Sequence, residues 1–475
     1  MISRQESSHL AEHRRLADVI SAMTGAVGRL EVAHPSALPD GSLAADLALQ
    51  AHVDCIRAGY LTALGRLTAQ RWRTPPTGTP IPFPGSGDAY DYAYDRQHPP
   101  LALESRLSRQ SGRQAMLCSS GMAALHVVLQ GLGHYLARDG RLVALASYFE
   151  TLTLLRLGPF AETWSRAMSS DQLAERILEP ETAVILIEPV RYDWNLSTED
   201  WSPVLEALSA RSDPPVVILD TTLCATVPAL ADLMDRLQLV ASLVIDVRSG
   251  LKLDQLGFEL ANVGVVEWTV RPDCEDRFRP LASILPACRV ATGATLTWPD
   301  ACALAPAFVF DRDAVGTYAK GVFETNRALA RAMPRPSALF SHVTYPDGPW
   351  VAPFVIFGLR TGGSDAYRGL ARLIHQEQHR RGLNWQMSGS FGFRSSRFET
   401  ILPDEQARPG EDPEGVLKVA CGCYAGAQFQ AIVELLQELS EFPDLETAAR
   451  VWGRSCHAHS QTGRPRHDCE VHSKA

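Results

Sequence analysis

The sequence predicts an α/β protein: a large domain on a mainly parallel sheet covered by helices, followed by a smaller α+β domain. Three observations predict it. Short apolar runs, several rich in β-branched residues, recur at 142–146, 183–187, 216–219, 243–247 and 263–268, as strands buried on both faces require. Helical stretches such as 201–210 and 229–237 separate several of them, and strands alternating with helices indicate parallel pairing through crossovers. After about residue 300 that alternation loosens.

The bulk properties agree with a soluble multidomain protein. At 475 residues the chain exceeds what one hydrophobic core usually supports. Hydrophobic residues make up 45% and charged residues 21%, ordinary for a globular protein. A formal net charge of -9 disfavours bulk nucleic-acid binding. The ten cysteines are scattered, and Cys118, Cys224 and Cys302 sit in apolar runs. That is the usage of buried free thiols, not of a disulfide framework. The opening residues, Met1-Ile2-Ser3-Arg4-Gln5-Glu6, lack the apolar core of a signal peptide. No apolar run is long enough to span a bilayer, so a cytoplasmic protein without membrane contact is expected.

In chain order, Leu16, Val19, Ile20, Met23, Val27 and Leu30 fall at helical spacing, and a second amphipathic stretch covers 47–67. Both should pack on the body or on a partner subunit. Residues 74–87 are rich in Pro and Gly and read as an extended linker. A helix is expected over 101–110. Residues 113–117 then lead into Cys118-Ser119-Ser120-Gly121-Met122-Ala123-Ala124 and a helix reaching about 137. The second half predicts helices at 314–333, 365–381 and 428–439, with strands at 351–358 and 416–420. The expected organisation is a helical arm and linker at 1–98, a large domain at 99–300, a small domain at 301–455 and a disordered tail at 456–475. The tail carries His457, His459, His467, Cys469 and His472 without tight metal-ligand spacing, so no metal site is assigned.

In an open α/β sheet, ligands lie beyond the carboxyl ends of the strands. Ser119-Ser120-Gly121-Met122 is a small-residue turn opening a helix, whose free amides suit a phosphate. Tyr148 follows the run 142–146, where an aromatic can stack on a planar ring. Asp220 closes the run 216–219, and a carboxylate there needs a partner. The run ending at Val247 breaks at Ser249-Gly250, and just beyond stands Lys252, the first lysine of the chain. Burial there would lower its pKa and leave an amine able to attack a carbonyl.

These residues, in this order, resemble the pyridoxal-phosphate enzymes of Cys/Met metabolism, the cystathionine γ-synthase and methionine γ-lyase family. Ser119-Ser120-Gly121-Met122-Ala123-Ala124 reads like the family's phosphate cup. Leu103-Glu104 and Tyr148-Phe149-Glu150-Thr151 resemble its flanking motifs, Asp220-Thr221-Thr222 its Asp-Asn-Thr, and Ser249-x-x-Lys252 its Ser-x-Thr-Lys. Tyr94-Asp95-Arg96 matches a Tyr-x-Arg that, in the family, reaches a neighbouring subunit's phosphate.

The resemblance implies fold type I, with a seven-stranded sheet, and pyridoxal 5'-phosphate as cofactor. It implies that Lys252 carries the cofactor, Asp220 pairs with its ring nitrogen and Tyr148 stacks on the ring. Ser120, Gly121, Met122 and Ser249 would hold the phosphate, Thr222 would lie beside the ring, and Asn195 would touch the ring hydroxyl. Tyr94 and Arg96 would complete the site across a homodimer or homotetramer with shared active sites. The N-terminal helices would then pack on the partner.

The substrate side departs from the family. Leu251 stands before the lysine where the family has Thr, and Arg248 replaces a His. Leu417-Lys418-Val419 occupies the place of the family's carboxylate-binding Arg motif, and lysine does not reproduce a bidentate guanidinium fork. At least one of Arg394 and Arg397 is expected to hold the substrate carboxylate, with Lys418 and Ser390 as further substrate-binding candidates. The implied reaction is γ-elimination or γ-replacement on a γ-substituted amino acid through a vinylglycine-type intermediate. S-adenosylmethionine is a candidate donor, with carbon–carbon bond or ring formation in natural-product biosynthesis. An aminotransferase or β-eliminating lyase on the same fold, or a non-catalytic ligand-binding or regulatory protein, are the alternatives.

Overall fold

The computed structural model describes residues 2–32, 41–69, 80–82, 89–91, 101–136, 140–224, 226–335, 337–402 and 415–460. Two long helices come first, α1 (Ile2–Val27) and α2 (Leu43–Thr68). Within the Pro- and Gly-rich stretch read as a linker lies β1 (Pro80–Pro82), which pairs antiparallel with β2 (Ala89–Asp91) just past it.

The large sheet contains β3 (Gln114–Cys118), β4 (Arg141–Leu145), β5 (Trp164–Arg166), β6 (Thr182–Ile187), β7 (Val216–Asp220), β8 (Leu243–Ser249) and β9 (Gly264–Val270). Their order is β3-β9-β8-β7-β6-β4-β5. The run from β8 to β5 is parallel, while β9 is antiparallel to both of its neighbours. The mainly parallel, seven-stranded expectation is met. The edge strand β5, Trp164-Ser165-Arg166, is short and only partly buried, so it lacks the apolar signature that marks the interior strands.

Alternation along the strands divides the core into two faces. Val143, Leu145, Ile185, Ile187, Val217 and Leu219 join one cluster, and Leu142, Ala144, Val184, Leu186, Val216 and Ile218 the other. The second cluster is closed by α4 (Gly121–Tyr135), reached through α3 (Leu101–Ser111) and β3. Ser120 caps α4, its hydroxyl accepting from the Ala123 amide at 3.0 Å.

A second sheet runs β10-β11-β14-β13-β12, with β10 (Phe340–Thr344), β11 (Val355–Leu359), β12 (Gln386–Met387), β13 (Arg397–Ile401) and β14 (Val416–Ala420). The helices Ser364–Arg380 and Ala427–Glu441 cover it through a third core cluster. The sequence pattern identifies β14 and most of β11, but not β10, β12 or β13, whose burial is mixed or low. The helix Leu445–Ser460 runs past residue 456, where a disordered tail was expected to begin.

The N-terminal helices pack on this chain's own body. Arg57 donates to the Phe258 and Glu259 carbonyls at 2.8 Å each, and the Tyr60 hydroxyl donates to the Cys302 carbonyl at 3.1 Å. Asp46 accepts from the amide of Gln428 at 2.8 Å, and Glu12 of α1 pairs with Arg394. No helix among the described residues is long and apolar enough to cross a membrane.

Candidate active site

β3, β4, β6, β7 and β8 all point the same way, so the turns after them meet along one edge of the sheet. There they enclose a cavity of about 460 Å³. Ser120, Gly121, Met122, Tyr148, Asp220, Thr222, Ser249, Lys252, Ser390 and Lys418, all selected from the sequence, line it.

Asp220 ends β7, and its Oδ1 accepts from the Thr222 amide at 3.0 Å. Burial raises its pKa, while Thr222 and the charge of Lys252 act to lower it. The Thr222 hydroxyl accepts from the Ser249 amide at 3.0 Å, joining this turn to the end of β8. Lys252 follows three residues later, its Nζ 4.3 Å from the centre of the Phe391 ring. Burial lowers its pKa to about 8, Asp220 opposes the shift and Lys418 adds to it. The loop bearing Ser390 and Phe391 lies close against this turn. Ser390 adopts φ +71° and Gly392 φ +73°, and a Cβ on Gly392 would stand 3.3 Å from the Lys252 Cβ.

Gly121, the first residue of α4, meets the end of β8. A Cβ there would come within 3.0 Å of the Ser249 Cβ. With the Ser120 hydroxyl turned to the Ala123 amide, the amides of Gly121 and Met122 open the helix without an intrahelical partner. They line the same cavity as the amine and the carboxylate.

Tyr148 opens the helix α5 (Phe149–Leu157), and its hydroxyl donates to Glu150 at 2.8 Å. Its backbone is set by a residue the sequence reading passed over. Glu188, just past β6 and 3% exposed, accepts from the amides of Ser147 at 3.0 Å, Tyr148 at 3.0 Å and Tyr192 at 3.1 Å. Burial, reinforced by the charge of Asp220, pushes its pKa to about 7. The signal that singled out Asp220, an acid closing an apolar strand, applies equally to Glu188.

The wall opposite the large sheet comes from β13 and β14. Glu399 and Lys418 are direct antiparallel partners there and lie 2.5 Å apart. Lys418 Nζ also donates to the Tyr192 hydroxyl at 3.2 Å. Burial works against its charge, but Tyr192 and Glu399 outweigh it and raise the pKa. The Tyr192 ring packs edge-on against Tyr148 and Phe354, with centroids 5.2 and 5.6 Å apart.

Three selected residues stand outside this cavity. Asn195 is exposed on a turn organised by Asp193, whose Oδ1 accepts from the amides of Asn195 and Ser197 at 3.0 Å each. Tyr192, three residues earlier, faces the cavity instead. Arg394 is engaged by Glu12 and by the Leu256 carbonyl at 3.0 Å, with its guanidinium 4.5 Å from the centre of the Phe258 ring. Arg397 pairs with Glu259 at 3.2 Å and lies 3.9 Å from the centre of the Phe393 ring. Both arginines are committed to holding the loop in place. Tyr94 and Arg96 lie outside the described residues.

No family model and no curated protein matches the chain. Solved structures do match. The apo form of a methionine gamma lyase from Micromonospora echinospora is 20% identical, covering 73% of this chain and 88% of that one, with a TM-score of 0.51. A cystathionine gamma synthase from Xanthomonas oryzae pv. oryzae, in complex with aminoacrylate and cysteine, is 20% identical, covering 82% and 96%, with a TM-score of 0.54. Cystathionine gamma-lyase from yeast is 16% identical, covering 80% and 92%, also with a TM-score of 0.54. The chain has the fold of these enzymes, the one implied by the sequence resemblance.

Proposed function

We propose that the chain is a pyridoxal-phosphate enzyme of the Cys/Met metabolism type, acting on a γ-substituted amino acid. The observation that carries this reading is the convergence of the Lys252 amine and the Asp220 carboxylate in one cavity, with the free amides of α4 on its wall.

The residues fit that cofactor. Lys252 would hold its aldehyde carbon, Asp220 its ring nitrogen, and Ser120, Gly121, Met122 and Ser249 its phosphate. Tyr148 would cover the ring face and Thr222 its edge. When bound, pyridoxal phosphate supplies a ring that takes up the electron pair released when a bond at the amino acid's Cα breaks.

The chain's own groups then divide the remaining work. Asp220 would pair with the ring nitrogen and favour its protonated form. An amine with a pKa near 8 is neutral often enough to take a proton and charged often enough to return it. Lys252 Nζ would therefore move protons between Cα and Cβ, allowing a substituent at Cγ to depart. Glu188 holds the Tyr148 and Tyr192 backbones in place along the cavity wall. With Arg394 and Arg397 committed elsewhere, Lys418 and Ser390 are the groups left to meet the substrate carboxylate.

The finer reading is replacement at Cγ with a cationic donor of the S-adenosylmethionine type. Glu150 lines the cavity beside the Tyr148 and Tyr192 rings, which favours a positively charged substituent. Tyr94 and Arg96 of a second subunit are proposed to complete the phosphate site, in a cytoplasmic homodimer or homotetramer.

The test is direct. Protein mixed with pyridoxal phosphate should turn yellow, and borohydride should lock the cofactor onto the peptide containing Lys252. A panel of γ-substituted amino acids, S-adenosylmethionine included, should then release the γ-substituent. Protein that takes up no cofactor overturns the reading, and keto-acid formation with no loss of the γ-substituent would assign transamination instead.

A further inference from the structure

Arg248 stands at the end of β8, four residues before Lys252, with no part in the proposed chemistry. Its side chain, 11% exposed, is gripped by three carboxylates that are themselves 5–9% exposed. Nη1 meets Asp246 at 3.1 Å and Glu267 at 2.7 Å, and Nη2 meets Asp254 at 3.1 Å. Asp246 and Glu267 are cross-strand partners on β8 and β9. Asp254 belongs to the turn just after Lys252. The other oxygen of Asp246 accepts from the Thr221 hydroxyl at 2.6 Å, and Thr221 lies between Asp220 and Thr222. One guanidinium thus links the Lys252 turn, the Asp220 turn and two strands of the sheet.

Packing alone does not hold this side chain. Arg248 lines the candidate site and also borders a second cavity of about 400 Å³, whose walls include Asp246, Asp254 and Glu267. With open space on both sides, its position depends on the ionic links. The fork geometry matters, because Arg248 reaches the three carboxylates from three different nitrogens, whereas a lysine ammonium places all its donors on one atom and cannot span them.

We propose that Arg248 is a positioning residue that fastens the turn carrying Lys252 to the turn carrying Asp220, setting the spacing between amine and carboxylate. This rests on the pyridoxal-phosphate reading only for its consequence in cofactor binding. The fastening itself concerns the chain alone.

Removing the guanidinium acts on Lys252 in one direction by two routes. Asp246, Asp254 and Glu267 lose their closest counter-charge, with Arg113 left acting on Asp246 and Glu267, and the loosened turn admits water. Both favour the charged amine against the burial that now disfavours it. The charged and titratable groups already acting on Lys252 are Asp220, Lys418 and Glu150, and these stay in place.

The test compares Arg248→Met and Arg248→Lys with the unmodified full-length chain. Brief reductive methylation with formaldehyde, followed by peptide mass analysis, reads the Lys252 amine without any cofactor. The chain has four lysines, at 252, 320, 418 and 474, so exposed Lys320 serves as an internal standard. A rise of about one pH unit in the Lys252 midpoint would cut its labelling near pH 8 roughly fivefold. Pyridoxal-phosphate affinity, titrated separately, should fall at least about tenfold, with Arg248→Lys not restoring it.

A folded variant with an unchanged Lys252 midpoint and unchanged cofactor affinity overturns the proposal, even if it melts earlier. Should Arg248→Met fail to fold, Arg248→Lys decides alone. If the unmodified chain takes up no pyridoxal phosphate, the functional reading fails by itself and the methylation profile still decides the role of Arg248.

Discussion

Glu12 and Arg394, 382 residues apart in sequence, form a buried ion pair between the first helix and the loop that lines the cavity. The pair accounts for the place of Arg394 outside the cavity lining. Its guanidinium is stacked over Phe258, donates to the Leu256 carbonyl and is neutralised by Glu12. The N-terminal arm is therefore part of the site's foundation.

Breaking that pair should be expensive. Glu12→Gln leaves a buried guanidinium without its counter-charge, and losing one partner of such a pair costs about 3–5 kcal/mol. Denaturant unfolding of the variant should show the loss. A loss below about 1 kcal/mol would mean that the pair is effectively solvated.

Cofactor uptake should follow the ionisation of Lys252. Burial holds its pKa at about 8, and only the neutral amine attacks a carbonyl. Borohydride trapping after a short pulse of pyridoxal phosphate should rise with pH and level off above about pH 9. Near pH 6 it should be about a hundredfold slower than on the plateau. A midpoint close to that of free lysine would show the amine to be solvated.

Glu188 should give stability a recognisable pH dependence. Its folded pKa, about 7, lies above its ordinary 4.5. The folded chain keeps a proton that the unfolded chain releases, so this contribution is full below 4.5 and is lost as pH rises through 7. Glu188→Gln removes the titration, and the stability difference between wild type and variant should change by roughly 2–3 kcal/mol across that window. Parallel pH profiles for the two proteins would refute the assignment.

Lys418 should separate substrate binding from cofactor binding. Lys418→Met keeps the length of the side chain but removes the only cation among the described lining residues beside Glu399. Pyridoxal-phosphate affinity, read on the plateau above about pH 9, should be nearly unchanged, while kcat/KM for a γ-substituted amino acid should fall by about a hundredfold or more. An equal loss of both would mean that Lys418 supports the architecture of the site.

What the sequence determined by itself is local and periodic. Runs such as Val216-Val217-Ile218-Leu219 announce strands buried on both faces, and the chemistry-bearing residues stand where those runs stop. That suffices to bring Ser120, Tyr148, Asp220, Ser249 and Lys252 to one edge, because parallel strands present their carboxyl ends together. The tertiary structure alone decided which charges are free to act. Arg394 is claimed by Glu12 from the far end of the chain and Arg397 by Glu259, while Lys418, paired with a cross-strand glutamate, still lines the cavity. Asn195 is exposed, while Tyr192, three residues earlier, lines the cavity. An ion's partner depends on distance and burial in three dimensions, and neither is encoded in spacing along the chain.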